Sequence, residues 1–149
     1  MELGVTSIHP IYSERSLIKL KGDRAEKKLP HWQQIIISAC EQSGRSKLPD
    51  ITMPKKISDY FYERNEMNQS HLRLILSPDT QNSLDNIGNL SPDTIDIMIG
   101  PEGGFTNHEI KASKLGGFLP VSIGPRILRT ETAPLAILSL LQYKFGDFA

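Results

Sequence analysis

The apolar positions change their rhythm along the chain, and each change predicts an element. Leu3, Val5, Ile8 and Ile11 are loosely spaced around Pro10, which favours a short extended segment running into a loop over a long helix. The polar stretch Tyr12-Ser13-Glu14-Arg15-Ser16 follows at once. From Pro30 the spacing turns helical: Trp32, Ile35, Ile36, Ala39 and Cys40 recur at i, i+3, i+4, i+7 and i+8, with Pro30 in the first turn and Gly44 as the C-cap. Residues 47–56, which hold Pro49 and Pro54, read as a connection, and residues 57–67 as a short helix. The compact apolar runs at residues 72–76 (LRLIL) and 95–99 (IDIMI) stop at Ser77-Pro78 and Gly100-Pro101, so both predict buried strands of a parallel sheet.

Beyond them, Thr106 with Glu109 three residues later has the spacing of a capping box, opening a helix that Gly116-Gly117 ends. Residues 118–123 predict a strand stopped by Gly124-Pro125. Thr130 or Thr132 then caps a last helix running to about Phe145, with Pro134 tolerated in its first turn. Strand and helix alternate from residue 72 onward. The predicted fold class is therefore α/β, a mostly parallel sheet with helices on both faces. The last helix is apolar nearly all round, because Ala133, Ala136, Ile137, Leu140 and Leu141 form one face while Leu135, Leu138 and Phe145 lie outside it. Such a helix must be covered on both sides, by its own domain or by a second subunit, and a homodimer is the expectation.

Composition narrows the class. At 149 residues and 38% hydrophobic, the chain predicts one folded domain. No apolar run approaches the roughly 18 residues of a membrane-spanning helix, and no basic-then-apolar segment opens the chain, so a cytoplasmic protein is expected. Cys40 is the single cysteine, which excludes an internal disulfide and a multi-cysteine zinc site; on its apolar stripe it reads as a core thiol. His9, His31, His71 and His108 are scattered, without the paired spacing of a metal motif, and no metal is expected. Formal charge is zero, yet residues 1–56 carry ten Lys or Arg against six Asp or Glu, and the remainder carries seven against eleven. That asymmetry fits a phosphate-facing surface as well as a solvated helix face, since Glu14, Asp23 and Glu26 are interleaved.

The chemistry concentrates in three turns that follow three predicted strands. They are Leu76-Ser77-Pro78, Gly100-Pro101-Glu102-Gly103-Gly104, and the longer loop holding Ile123, Gly124, Arg126, Leu128, Arg129, Thr130, Glu131 and Thr132. Ligands of open α/β sheets bind outside the carboxyl ends of the strands, so three such turns on one edge predict one pocket for a nucleoside-like guest gripped by main-chain groups. Neither phosphate-loop nor dinucleotide spacing is present, which disfavours an NTPase or a dinucleotide enzyme. Glu102 is either an acceptor near the next helix or a ligand contact. Arg126 and Arg129 can stabilise an anionic oxygen but cannot accept a proton at neutral pH.

The strings IGPEGGF (residues 99–105) and SIGPRILRTETA (residues 122–133) closely resemble those of the SPOUT-superfamily enzymes that methylate N3 of a uridine in 16S, small-subunit, ribosomal RNA. Residues 2–5, 12–16, 21–28 and 39–45 resemble the same family in the same order. The resemblance implies one SPOUT-like methyltransferase domain over residues 1–149, a C-terminal trefoil knot, S-adenosyl-L-methionine held there, and a homodimer. By motif the cofactor side falls to Leu76, Ser77 and Pro78, to Gly100, Pro101, Glu102, Gly103 and Gly104, and to Ile123, Gly124, Leu128, Arg129, Thr130 and Thr132. Arg129 and Arg126 become catalytic candidates. Glu131 is the nearest motif carboxylate that could take the N3 proton, or else an acid held ionised by the dipole at a helix start, which leaves the base unassigned. The RNA side falls to Arg15 and Arg45, with Arg129 as a further candidate. Family members carry a small RNA-binding barrel before this domain. The chain opens about where that barrel ends, so the barrel is expected to be absent and RNA affinity weak. The alternative function is a non-catalytic RNA-binding or ribosome-assembly module that retains the fold.

Overall fold

The structure, a computed structural model, describes residues 1–17, 23–63, 70–88 and 90–148. The chain divides into two compact units, Met1–Tyr12 with Leu17–Lys56, and Ser13–Ser16 with Ile57–Ala149.

In the first unit the extended segment around Pro10 forms two short strands, β1 (Ser7–Ile8) and β2 (Ile11–Tyr12). They pair in parallel with β3 (Asp50–Ile51) and β4 (Lys55–Lys56), respectively. Residues 47–56 are thus more than a connection. Two-residue strands are too short to leave a period-two signature, so the pattern could not announce them. Helix α1 spans Asp23–Gln42 and so begins well before Pro30, which lies inside it. Asp23 and Glu26 in its first turn suit the helix dipole, and Ala25, Lys27, Lys28 and Leu29 are strong helix formers. Together these outweigh the missing N–H and the ring crowding of an internal proline. The C-terminal end is as the pattern predicts: Gly44 N–H donates to Glu41 O at 3.3 Å and Arg45 N–H to Cys40 O at 2.9 Å, the two bonds of a Schellman cap. Ala25, Ile36 and Cys40 are buried, so Cys40 is a core thiol, while Ile35 on the same predicted stripe is about half exposed.

The second unit is built on a parallel sheet in the order β6-β5-β7, formed by β5 (His71–Leu76), β6 (Thr94–Met98) and β7 (Leu119–Val121). Side chains alternate across it. Leu72 and Leu74 of β5, in register with Ile95 and Ile97 of β6, point to one face. There Leu74 and Val121 join Leu84 and Ile87 of a 3₁₀ turn (Leu84–Ile87) and Ile137 and Leu141 of helix α4 (Thr132–Phe145) in one core. The opposite face carries Arg73 and Asp96, also in register, and meets α2 (Ile57–Glu63) and α3 (Asn107–Leu115). Tyr60 hydroxyl lies 3.4 Å from Asp96 Oδ2, Arg73 Nη1 donates to Gly116 O, and the rings of Phe61 and Phe118 pack at a tilt with centroids 5.6 Å apart. Helices therefore cover both faces of a parallel sheet.

The three strands expected at residues 72–76, 95–99 and 118–123 are present as β5, β6 and a shorter β7, and so is the capping box. Thr106 Oγ1 accepts from Glu109 N–H while Glu109 Oε2 accepts from Thr106 N–H. Of the helix predicted at residues 57–67 the described part is α2; residues 64–69 lie outside the described residues. Helix α4 differs at its start. Its N-cap is Glu131, in helical conformation and without a side-chain cap bond, so neither Thr130 nor Thr132 caps it. The Arg129 carbonyl instead accepts from Thr132 and Ala133 N–H at 3.0 and 2.9 Å, so a backbone turn ends the loop and leaves the hydroxyls free of that duty. Among the described residues no helix is long and apolar enough to cross a membrane.

Candidate active site

Because β5, β6 and β7 run parallel, the segments that leave their carboxyl ends emerge along one edge of the sheet. They converge. Residues 76–80, 99–105, 120–124 and 126–131 line a single cleft of about 720 Å³, a size suited to a nucleoside-scale ligand. Hydrogen bonds across the segments hold them: Ser77 N–H donates to Val121 O at 3.0 Å and Ser122 N–H to Asn82 O at 2.8 Å.

The shape of the turns follows from their glycines. Gly104 N–H donates to Pro101 O at 2.8 Å, closing a tight turn in which Gly104 takes φ +65°, and Gly124 takes φ +115°. An L side chain is strained at either angle, and no atom lies within 4 Å of where a Cβ would stand. Those two positions leave open space for an incoming flat group.

A third wall comes from α3. Asn107, Ile110 and Lys114 share one stripe of that helix and line the cleft together with Arg15. Arg15 reaches it because residues 13–16 belong to this unit: Glu14 N–H donates to Glu109 Oε1 at 2.8 Å, and Arg15 Nη1 donates to Gly103 O at 2.6 Å. The loop after β7 also lines the cleft, with Arg126, Ile127, Leu128, Arg129, Thr130 and Glu131. Arg129 Nη1 lies 4.0 Å from Glu131 Oε1, with both side chains largely exposed.

Of the residues singled out from sequence, all those in the turns after β5 and β6, together with Ile123, Gly124, Arg126, Leu128, Arg129, Thr130 and Glu131, line this cleft. Thr132 does not; it is the first residue of α4. Arg15, assigned to the RNA side, is part of the cleft wall. Arg45 belongs to the other unit, where its Nη1 donates to Met1 O at 2.9 Å and Val5 O at 2.7 Å. Sequence reasoning missed Asp79, Thr80, Phe105 and the Asn107-Ile110-Lys114 stripe. The stripe's i, i+3, i+7 spacing was visible, but nothing local says which face of α3 looks into a cleft. Among the described residues no cluster of metal-ligating side chains occurs.

Comparison with known proteins agrees with this architecture. A crystal structure of ribosomal RNA small subunit methyltransferase E from Neisseria gonorrhoeae bound to S-adenosyl methionine is 41% identical, with a TM-score of 0.88, over 99% of this chain and 59% of that one. A Legionella pneumophila methyltransferase structure in complex with the same cofactor gives 41% identity and a TM-score of 0.89, with the same coverage. Ribosomal RNA small subunit methyltransferase E of Buchnera aphidicola from Schizaphis graminum is 38% identical over 100% of this chain and 59% of its own length. The chain thus spans about three-fifths of these relatives, of 59% in each case. The family described as RNA methyltransferase domain matches residues 1–142. With its cleft at the carboxyl edge of a parallel sheet and its sequence matched almost end to end, the chain belongs to the RNA methyltransferase domain family.

Proposed function

We propose that this chain is the cofactor-binding, methyl-transferring part of an enzyme that acts on N3 of a uridine in small-subunit ribosomal RNA. The observation that carries the proposal is the convergence of three strand-end loops on one open cleft in a chain so close to two cofactor-bound methyltransferases. The residues fit S-adenosyl-L-methionine. Gly104 and Gly124 leave room where side chains would intrude, Leu76, Ile99, Ile123 and Leu128 offer apolar contact, and the turns at 77–78 and 100–104 offer backbone groups. Bound there, the cofactor would supply a methyl group on a positively charged sulfur.

On the acceptor side the uracil N3 must lose its proton, which leaves negative charge shared with the flanking carbonyl oxygens. Arg129 and Arg126, both exposed on the cleft loop, favour that anion electrostatically. Glu131 stands beside Arg129 with no cap bond to occupy its carboxylate, which supports it as the candidate proton acceptor. Arg15, on the α3 side of the cleft, faces the RNA backbone as a multi-donor cation.

The same reading includes a knotted path and a homodimer. The bonds from Ser77 to Val121 and from Ser122 to Asn82, which bind the loop after β5 to the exit of β7, support the first. Exposed Leu135, Leu140 and Tyr143 along α4 support the second. A role on ribosomal RNA supports a cytoplasmic location.

Calorimetric titration with S-adenosyl-L-methionine, followed by mass spectrometry of nucleosides from small-subunit RNA incubated with both, tests the proposal. Saturable binding and a uridine methylated at N3 are expected. A folded protein that takes up no cofactor overturns the enzymatic reading in favour of a non-catalytic module, and a methyl group on another atom overturns the N3 assignment.

A further inference from the structure

Glu109 is 1% exposed, and its two carboxylate oxygens serve two different segments. Oε2 accepts from Thr106 N–H at 2.8 Å, the local half of the capping box. Oε1 accepts from Glu14 N–H, also at 2.8 Å, across a separation of 95 residues. A helix cap needs only the first bond. The second fastens the backbone of a small turn whose side chains add an exposed contact, His108 Nδ1 to Glu14 Oε1 at 3.1 Å, and an internal one: Ser13 Oγ and Ser16 Oγ lie 2.9 Å apart, and Ser16 N–H donates to Ser13 O at 3.2 Å. Between those serines stands Arg15, whose stem runs 3.4 Å from where a Gly103 Cβ would be and whose Nη1 donates to Gly103 O.

We propose that Glu109 is a positioning residue for RNA: by fixing the Glu14 N–H it holds the turn at 13–16, and so holds Arg15 across Gly103 as the cation that meets an RNA phosphate at the edge of the cleft. The inference rests on the function proposed above. One of the guanidinium's five N–H donors is used on Gly103, which sets its direction, and the rest of an exposed side chain remains for an anion. Immobilising a long cation before the ligand arrives removes an entropic cost from binding.

Glu109→Gln separates the two jobs. A capping box accepts Gln at this position, so the oxygen keeps Thr106 N–H, and the amide NH₂ then faces Glu14 N–H, donor against donor. The test compares wild type, Arg15→Ala, Glu109→Gln and the double variant by backbone hydrogen exchange, and by binding of a small-subunit RNA oligonucleotide at several salt concentrations. In Glu109→Gln, exchange at residues 14–16 should quicken while α3 stays protected. Each single variant should lose about fivefold in RNA affinity and about one unit of the slope of log affinity against log salt, with the double variant no weaker than either. Losses that multiply in the double variant, or RNA affinity lost only in Arg15→Ala, overturn the link between the two residues. Unchanged exchange at residues 14–16 overturns the anchor whatever the RNA does. If the wild type binds no RNA while exchange responds as expected, the RNA assignment falls and the Glu109 anchor stands.

Discussion

Arg129 Nη1 and Glu131 Oε1 face each other at 4.0 Å on the cleft loop, both largely exposed to solvent. An ion pair of that length in water contributes about 0–1 kcal/mol, so neither partner is locked to the other. The guanidinium remains able to turn toward negative charge that develops in the cleft, and the carboxylate remains able to take a proton. That freedom distinguishes this pair from Glu109, whose oxygens are both committed to backbone donors.

Replacing Arg129 with Ala should therefore slow methyl transfer far more than it weakens cofactor binding. A loss of about 100-fold in turnover is expected, the size associated with removing one donor to a developing anion. Calorimetry should find cofactor affinity nearly unchanged. Equal loss in both measurements would move Arg129 to the cofactor side of the site.

Gly124→Ala should distort the loop after β7, because φ +115° is strained for any residue with a Cβ. A stability loss of about 1–3 kcal/mol in urea titration is expected, together with weaker cofactor binding. Space is not the obstacle, since nothing lies within 4 Å of the new methyl; the backbone angle is. Unaltered cofactor affinity would mean that the loop's geometry is not what the ligand reads.

Arg45→Ala should lower the stability of its unit by about 1–3 kcal/mol, because the guanidinium donates to the carbonyls of Met1 and Val5 and those acceptors lose a charged partner. Urea unfolding measures this directly. RNA affinity that drops with stability intact would support the RNA-side role that motif resemblance implies for this residue.

Leu135 is 61% exposed on a helix whose opposite side is core, and Leu140 and Tyr143 are exposed nearby. In the proposed homodimer Leu135→Glu should convert a dimer to a monomer in sedimentation velocity without loss of helical signal, since it removes apolar contact and introduces a charge into the interface. A wild type that sediments as a monomer would remove the dimer from the proposal.

Much of this was legible in the sequence, for reasons that differ by element. The strands β5 and β6 could be read because short apolar runs bounded by Ser-Pro and Gly-Pro have few other uses. The cap at Thr106 and Glu109 could be read because both partners of a capping box lie within one turn. The start of α1 could not, because Pro30 is a strong local signal and the charged residues before it carry no apolar stripe. The pairings of β1 with β3 and β2 with β4 were hidden too, since two-residue strands joined across more than forty positions leave no periodic trace.

Local chemistry along the chain determined which turns would follow which strands, that glycines would shape them, and that Cys40 would be core, since each depends only on near neighbours and on apolar spacing. Folding in three dimensions decided the rest. Parallel pairing brought three distant loops to one edge, the rotation of α3 placed Asn107, Ile110 and Lys114 on the cleft, and one buried carboxylate joined residue 109 to residue 14. Such relations depend on distances between segments far apart in the chain, and those distances are set only when the apolar faces have packed.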